Sequence, residues 1–324
     1  MKEKITLAAQ IYDITLPLIN GQVRAEGIDL NILTDFKNIN DAFLRMLGSA
    51  EFDASEMALG SYLVARDQGD DRFEAIPIFL NRHFPHENFY VKKGSALNSP
   101  RDLAGKSLCM PSFQNTRSVW ARGIIEDHYG IPRSQIKWFV QNPDRVKVTL
   151  APGIEVEPLP EGTKALDALE AGTIDAMVLL PILSKILSTR QIRPLFENHK
   201  EEEMTYYQKT KIFPGMHTVV IKKEILERSP WVANSLMKAY QESKEACYSL
   251  RSRLAEFGGS SMVWMFEGLR EQSELFQQDP YQFGVGPNKN MLEVLAGYLL
   301  KEGMISKIPD ISSLFSKSTT SIYG

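Results

Sequence analysis

Cysteine is scarce: Cys109 and Cys247 are the only two in 324 residues, too few for a disulfide framework and in keeping with a reducing compartment. Excess charge of one sign is also missing. Thirty-seven Lys and Arg oppose 40 Asp and Glu, a formal net charge of −3, which excludes the basic footprint of a nucleic-acid binder. Long hydrophobic runs are absent too; the longest, residues 176–183, contains Pro181 and falls well short of a membrane span. The first ten residues carry an apolar stretch too short for a secretory signal, so the expected location is cytoplasmic. There is no P-loop, no Gly-rich dinucleotide fingerprint, no Gly-x-Ser-x-Gly and no zinc-protease helix. Gly284-Val285-Gly286 runs into Pro287 rather than into a helix. Repeats and low-complexity tracts are lacking as well. What remains is 43% hydrophobic and 24% charged, a folded protein whose length suggests about two domains.

The first third alternates short apolar runs with helical patterns, as in a parallel α/β sheet. Strands are predicted at 5–9, 28–33, 52–54, 73–80 and 88–92, with helices at 14–25, 40–47 and 55–66. Gly, Asn, Ser and Pro collect at 94–102, and a second α/β unit follows. It has a strand at 108–110, a helix opened by Gln114-Asn115-Thr116 and stopped by Gly130 and Pro132, and a helix capped by Thr163. A strand at 176–180 ends the unit, while 143–160 reads as Pro-rich and irregular. A last strand, 216–221, precedes a long helix opened by Ser229-Pro230. Its apolar face carries Val232, Leu236, Ala239, Cys247, Leu250 and Leu254; Met291, Leu292, Leu295 and Leu299 form a second stripe. This order predicts two lobes. Residues 1–94 and 205–324 form a discontinuous first lobe, 95–204 the second, and small ligands bind in the cleft between them.

Ser99-Pro100-Arg101-Asp102-Leu103-Ala104-Gly105-Lys106-Ser107-Leu108 resembles the entry into the second lobe of the type II periplasmic-binding-protein fold. Leu169-Glu170-Ala171-Gly172-Thr173-Ile174-Asp175-Ala176 resembles a later strand entry of that fold. A sharper resemblance is to the 4,5-dihydroxyphthalate decarboxylase family. It rests on Arg82-His83, Gln114-Asn115-Thr116, Val119-Trp120-Ala121-Arg122-Gly123-Ile124, Tyr206-Tyr207, Ile212-Phe213-Pro214-Gly215-Met216-His217, Pro230-Trp231-Val232-Ala233 and Asp279-Pro280-Tyr281-Gln282-Phe283-Gly284. These segments keep the family's order and cover nearly the whole chain. Two departures fall where a dianionic substrate would be held. Ile14 follows Tyr12-Asp13, and Leu180 precedes Pro181, where the family pattern implies arginine. Losing two guanidinium groups removes two bidentate carboxylate clamps, so a second carboxylate is either absent or held elsewhere.

The resemblance implies a carboxy-lyase acting on a hydroxylated aromatic acid such as 4,5-dihydroxyphthalate. Such a reaction needs a proton donor, a cationic or N–H-rich holder for a carboxylate, and an aromatic-sized slot. His83, after a strand end, and His217, at a strand start, are the candidate catalytic residues, as proton donor or orienter. The plainer alternative is that each imidazole bonds a backbone carbonyl. Arg82 and the helix start at Gln114, Asn115 and Thr116 are candidate carboxylate holders, though Thr116 reads equally as an ordinary cap. Asp13 opens a similar turn on the other lobe. Ser55 and Glu56 follow a short strand as cleft polar groups, Glu56 alternatively being a first-turn acid. Arg122, Tyr207 and Phe213 complete the substrate-binding set, with Arg117 nearer the mouth than Arg122.

His83 and His86 are three apart with Pro85 between them and no third ligand, so no metal site is predicted, although a divalent metal stays open. No organic cofactor is predicted. The expected partner is a small aromatic or carboxylic acid; nucleic acid and membrane are not expected, and a homo-oligomer is left open. Two other readings share the fold: a solute-binding protein without catalysis, and a menaquinone-pathway-type enzyme.

Overall fold

The computed structural model describes residues 2–180 and 184–321. Pro181, which interrupts the long apolar run, lies outside the described residues. The chain lays down β1 (Glu3–Ala8), β2 (Ile28–Leu33), β3 (Ala54–Ala58) and β4 (Phe73–Ile76), then crosses over. It next builds β5 (Phe89–Lys92), β6 (Ser107–Met110), β7 (Lys137–Val140), β8 (Val156–Pro158), β9 (Ala176–Val178) and β10 (Ile192–Pro194). Finally β11 (His217–Lys222) returns to the start. The strands form a five-stranded sheet, β2-β1-β3-β11-β4, and a six-stranded sheet, β10-β5-β9-β6-β7-β8. β1 runs parallel to β2 and β3, while β11 is antiparallel to both its neighbours, setting Val219 against Glu56 on one side and Ile76 on the other.

The helices are α1 (Leu16–Ile19), α2 (Ile39–Ser49), α3 (Leu59–Asp67), α4 (Thr116–Tyr129), α5 (Ala165–Ala171), α6 (Ser184–Thr189), α7 (His199–Thr210), α8 (Lys223–Arg228), α9 (Trp231–Phe257), α10 (Met265–Phe276) and α11 (Lys289–Lys301). One apolar core runs through both sheets, joining Met57, Tyr62 and Phe73 to Leu108, Met110 and Trp138 by way of α4 and α11. A second core lies between the far face of the first sheet and α9, with Leu7, Val219 and Ile221 against Leu236 and Tyr240. A third, around Cys109, Leu169 and Met177, backs the second sheet. No helix among the described residues is long and apolar enough to cross a membrane.

Three expectations change. The break at 94–102 is not where the chain leaves the first sheet. β5 already pairs antiparallel with β9 and β10, so residues 89–92 belong to the second sheet rather than to a first lobe ending at 94. Those turn residues instead build a capped 3-10 turn, Ser99 accepting a hydrogen bond from the Arg101 N–H. The helix expected over 14–25 shrinks to one 3-10 turn and α1, which stops where Asn20 leads into Gly21 at φ +78°. The strand expected at 52–54 lies at 54–58, so Ser55 and Glu56 are strand residues and the helix begins at Leu59. All five residues of β3 are buried, because α2 and α3 cover it and β11 pairs along it.

Candidate active site between the two sheets

A carboxylate inside a strand buried on both faces costs several kcal/mol unless donors surround it. Glu56 has three. The Gln10 backbone N–H donates to Oε2 at 2.9 Å, the Tyr12 hydroxyl to Oε1 at 2.5 Å, and His217 Nδ1 lies 2.6 Å from Oε1. Gln10 and Tyr12 follow β1, Glu56 sits within β3 and His217 opens β11, so three neighbouring strands assemble the cluster. With Nδ1 on the carboxylate, the His217 Nε2 has no hydrogen-bond partner among the described residues. The ring is 13% exposed while Glu56 is fully buried, and it stands edge-on to Phe43 at 4.9 Å between centroids. Burial, with Glu56 adding to it, holds the Tyr12 hydroxyl well above its ordinary value, so it stays a donor.

His83 reaches the same place from the loop after β4. The Arg117 Nε donates to its Nε2 at 2.6 Å, and because a guanidinium can only donate, that nitrogen carries no proton. The proton is therefore on Nδ1, which donates to Asn81 Oδ1 at 3.0 Å. Burial, then the nearby charges of Arg117 and His217, push the His83 imidazole well below its ordinary value. Asn81 also acts electrostatically on the Tyr12 hydroxyl, so the two histidines share one polar neighbourhood. Arg117 comes from α4, which connects β6 to β7 of the second sheet, so this contact spans the two sheets. A second guanidinium crosses likewise: Arg145, after β7, donates to Asn40 Oδ1 at 2.7 Å and Ser61 Oγ at 3.0 Å and stacks on Phe43. Desolvation lowers both arginines to about 10. Beside His83 opens a cavity of about 220 Å³ lined by Phe84, Glu87, Glu203, Phe213, Phe276 and Tyr281.

The structure thus gathers His83, His217 and Glu56 in one cluster and sets Phe213 on the cavity wall. Arg82 lines the cavity as well; it is buried and donates to the Phe213 and Gln282 carbonyls and to Asn288 Oδ1, which staples those loops, while its Nε has no partner among the described residues. Other candidates are engaged elsewhere. Asp13 pairs with Arg251 and accepts from the Ile14 N–H on an exposed corner. Ser55 lies on the strand beside Glu56 and donates to its backbone carbonyl. Gln114 binds both the N–H and the carbonyl of Val146. Asn115 caps α4, and Thr116 Oγ1 accepts from the Gly60 N–H. The Asp144 carboxylate accepts from the Gln114 N–H at 2.6 Å, one residue ahead of the cap. Arg122, fully buried, pairs with both oxygens of Glu302 and stacks on Phe113. Tyr207 packs on Phe276 at 4.4 Å and is absent from the cavity lining.

Reading the sequence missed Asn81, Phe43 and Arg145 and gave Tyr12 no role. His86 packs among Phe84, Phe196 and Tyr206, and burial lowers it to about 3. Among the described residues, no group of three or more His, Cys, Asp or Glu is placed to hold a metal ion.

Two sheets joined by crossovers, with polar groups from both meeting between them, define a periplasmic-binding-protein-like fold. The periplasmic aliphatic sulphonate binding protein SsuA of Escherichia coli superposes with a TM-score of 0.58 at 15% identity, covering 97% of this chain and 92% of that one. A variant of the desulfurization enzyme DSZB in complex with biphenyl-2-sulfinic acid gives 0.55 at 13% identity, covering 99% and 98%. At such identities the likeness is one of fold. No protein-family model matches the chain. The 4,5-dihydroxyphthalate decarboxylase of Comamonas testosteroni is 30% identical over 325 residues, covering 97% of this chain and 96% of that protein. The chain belongs to the 4,5-dihydroxyphthalate decarboxylase family, and its class is that of a carboxy-lyase.

Proposed function

We propose that the protein decarboxylates a hydroxylated aromatic carboxylate, of the kind 4,5-dihydroxyphthalate represents, with His217 as the proton donor to the ring. The observation that carries this reading is the Glu56–His217 pair, whose Nδ1–Oε1 separation is 2.6 Å. A carboxylate on Nδ1 fixes the ring's orientation and balances its charge, leaving Nε2 to give and take a proton. A hydroxyl para to the departing carboxylate pushes electron density onto the carbon that bears it. That carbon takes the proton from Nε2, the carbon–carbon bond breaks, and its electron pair restores the aromatic ring as CO2 leaves. One carboxylate and one proton become one ring C–H and one CO2; water then reprotonates the imidazole. His83 is a positioning residue here. Both its nitrogens are engaged, and its acceptor Nε2 aims the Arg117 guanidinium at the ligand's carboxylate. We place the enzyme in the cytoplasm, where ring acids are broken down.

The rival reading is a solute-binding protein, which draws support from the sulphonate-binding neighbour. A buried Glu–His pair with an open Nε2 is more than binding requires. The decisive experiment incubates the purified chain with a panel of hydroxylated benzoates and phthalates and measures CO2. Turnover is expected for at least one acid carrying a para hydroxyl. His217→Asn should lower kcat by roughly 10²- to 10⁴-fold, the usual worth of a positioned acid. Thermal-shift binding with no CO2 from any acid would favour the solute-binding reading, and an unchanged kcat in His217→Asn would remove the assigned donor.

A further inference from the structure

We propose that Arg145 is the residue that selects substrates bearing a second carboxylate. The inference deepens the decarboxylase reading above and rests on it for the ligand's class.

The arginines withdrawn from the surface differ in their partners. Arg122 and Arg133 share the carboxylate of Glu302, whereas Arg82 has no ion pair and donates to two carbonyls and the Asn288 side-chain oxygen. Arg117 and Arg145 also make no ion pair among the described residues, although Arg117 is buried and Arg145 half-buried. Asp144, next to Arg145 in sequence, is turned away to the Gln114 N–H. A desolvated guanidinium without a counter-anion is unfavourable, and an anionic ligand is the natural complement.

The two cations also serve different imidazoles. Arg117 touches His83 directly. Arg145 lies 5.3 Å from the centroid of the Phe43 ring, whose other polar neighbour is His217 at 4.9 Å between centroids. Phe43, itself only 2% exposed, is the contact that Arg145 and His217 share. Asn40 and Ser61 hold the Arg145 Nε and Nη1, while its Nη2 has no partner among the described residues. An aromatic acid lying beside the two histidines would meet Arg117 with one carboxylate and Arg145 with another. A monocarboxylate meets only one of them.

The test measures binding of phthalate and benzoate by titration calorimetry to the full chain, Arg145→Met and Arg145→Lys. Neither probe carries a hydroxyl, so binding is read apart from turnover. The parent protein should prefer phthalate. Arg145→Met should weaken phthalate by roughly 10- to 100-fold, the worth of a charge-assisted hydrogen bond, and benzoate by about twofold at most. Arg145→Lys keeps the charge without the fork, and its loss should fall between the two. Should Arg145→Met fail to fold, a drop in the phthalate-to-benzoate ratio in Arg145→Lys carries the test. Equal weakening of both acids would reduce Arg145 to a latch between the sheets and overturn the proposal. So would unchanged phthalate binding, or a parent protein with no preference for the diacid. Selective loss of phthalate binding in a chain that releases no CO2 would keep the Arg145 assignment and remove the decarboxylase reading alone.

Discussion

His83 can accept from Arg117 only while it is neutral, and this ties stability to pH. Its folded value lies well below the ordinary one, so the unfolded chain binds the extra proton first as pH falls. The contribution is complete above an unfolded imidazole value of about 6.5 and is lost as pH drops below it, by up to about 1.4 kcal/mol per pH unit. Urea denaturation at pH 7.5, 6 and 5 should show that slope, and His83→Gln should make it shallower by about one proton's worth. His86, lowered to about 3, adds a like slope that the variant leaves in place. Equal slopes in the two proteins would contradict the neutral assignment. The two histidines were legible because each flanks a strand end beside distinctive neighbours, Arg82 or Phe213-Pro214-Gly215. Arg145 was not. It sits in the Pro-rich stretch 143–160, where no periodicity says which way a side chain points, and only folding brings it to Phe43.

Helix α4 meets α11 at Gly123, where a Cβ would overlap the Tyr298 ring. Gly123→Ala should therefore destabilise by about 1–3 kcal/mol through overpacking, although alanine is the better helix former. A urea midpoint equal to the parent's would show that the helices can part at no cost. On the same helix, Arg122 shares Glu302 with Arg133 in a fully buried cluster. Glu302→Gln should cost about 3–5 kcal/mol, since it leaves the fully buried Arg122 guanidinium without a counter-charge, while Arg133 keeps Glu126. A loss below 1 kcal/mol would mean that water reaches Arg122. The sequence showed α4 from its capping Asn115 to its closing Gly130, but not that Arg122 faces Glu302, 180 positions away. The same blindness to distant partners explains β3. A strand buried on both faces has no alternation to betray it, and only pairing with β11 makes Ser55 and Glu56 part of the sheet. In α9 the stripe overran its core: Cys247 is its last buried residue, and Leu250 is 53% exposed.

The two sheets are separate hydrogen-bonded ladders, yet the apolar core beneath them is continuous. Polar contacts stitch the same seam. The Gly60 N–H donates to Thr116 Oγ1 at 3.0 Å, and the Trp120 indole donates to the Gly215 carbonyl at 3.1 Å. A molecule joined this way should unfold as one body, because exposing either sheet alone would open the core of the other. Far-UV circular dichroism, which follows the backbone, and tryptophan fluorescence, which follows buried Trp120 and Trp138, should trace one coincident guanidinium transition. Thr116→Val tests the seam itself. It leaves the buried Gly60 N–H without its acceptor, so the midpoint should fall by the equivalent of about 1–3 kcal/mol while both probes still coincide. Two resolved transitions in the parent protein would mean that the lobes fold independently. The Arg117–His83 contact between them would then be aligned by ligand binding, while the Glu56–His217 pair, built within the first sheet, would keep its geometry.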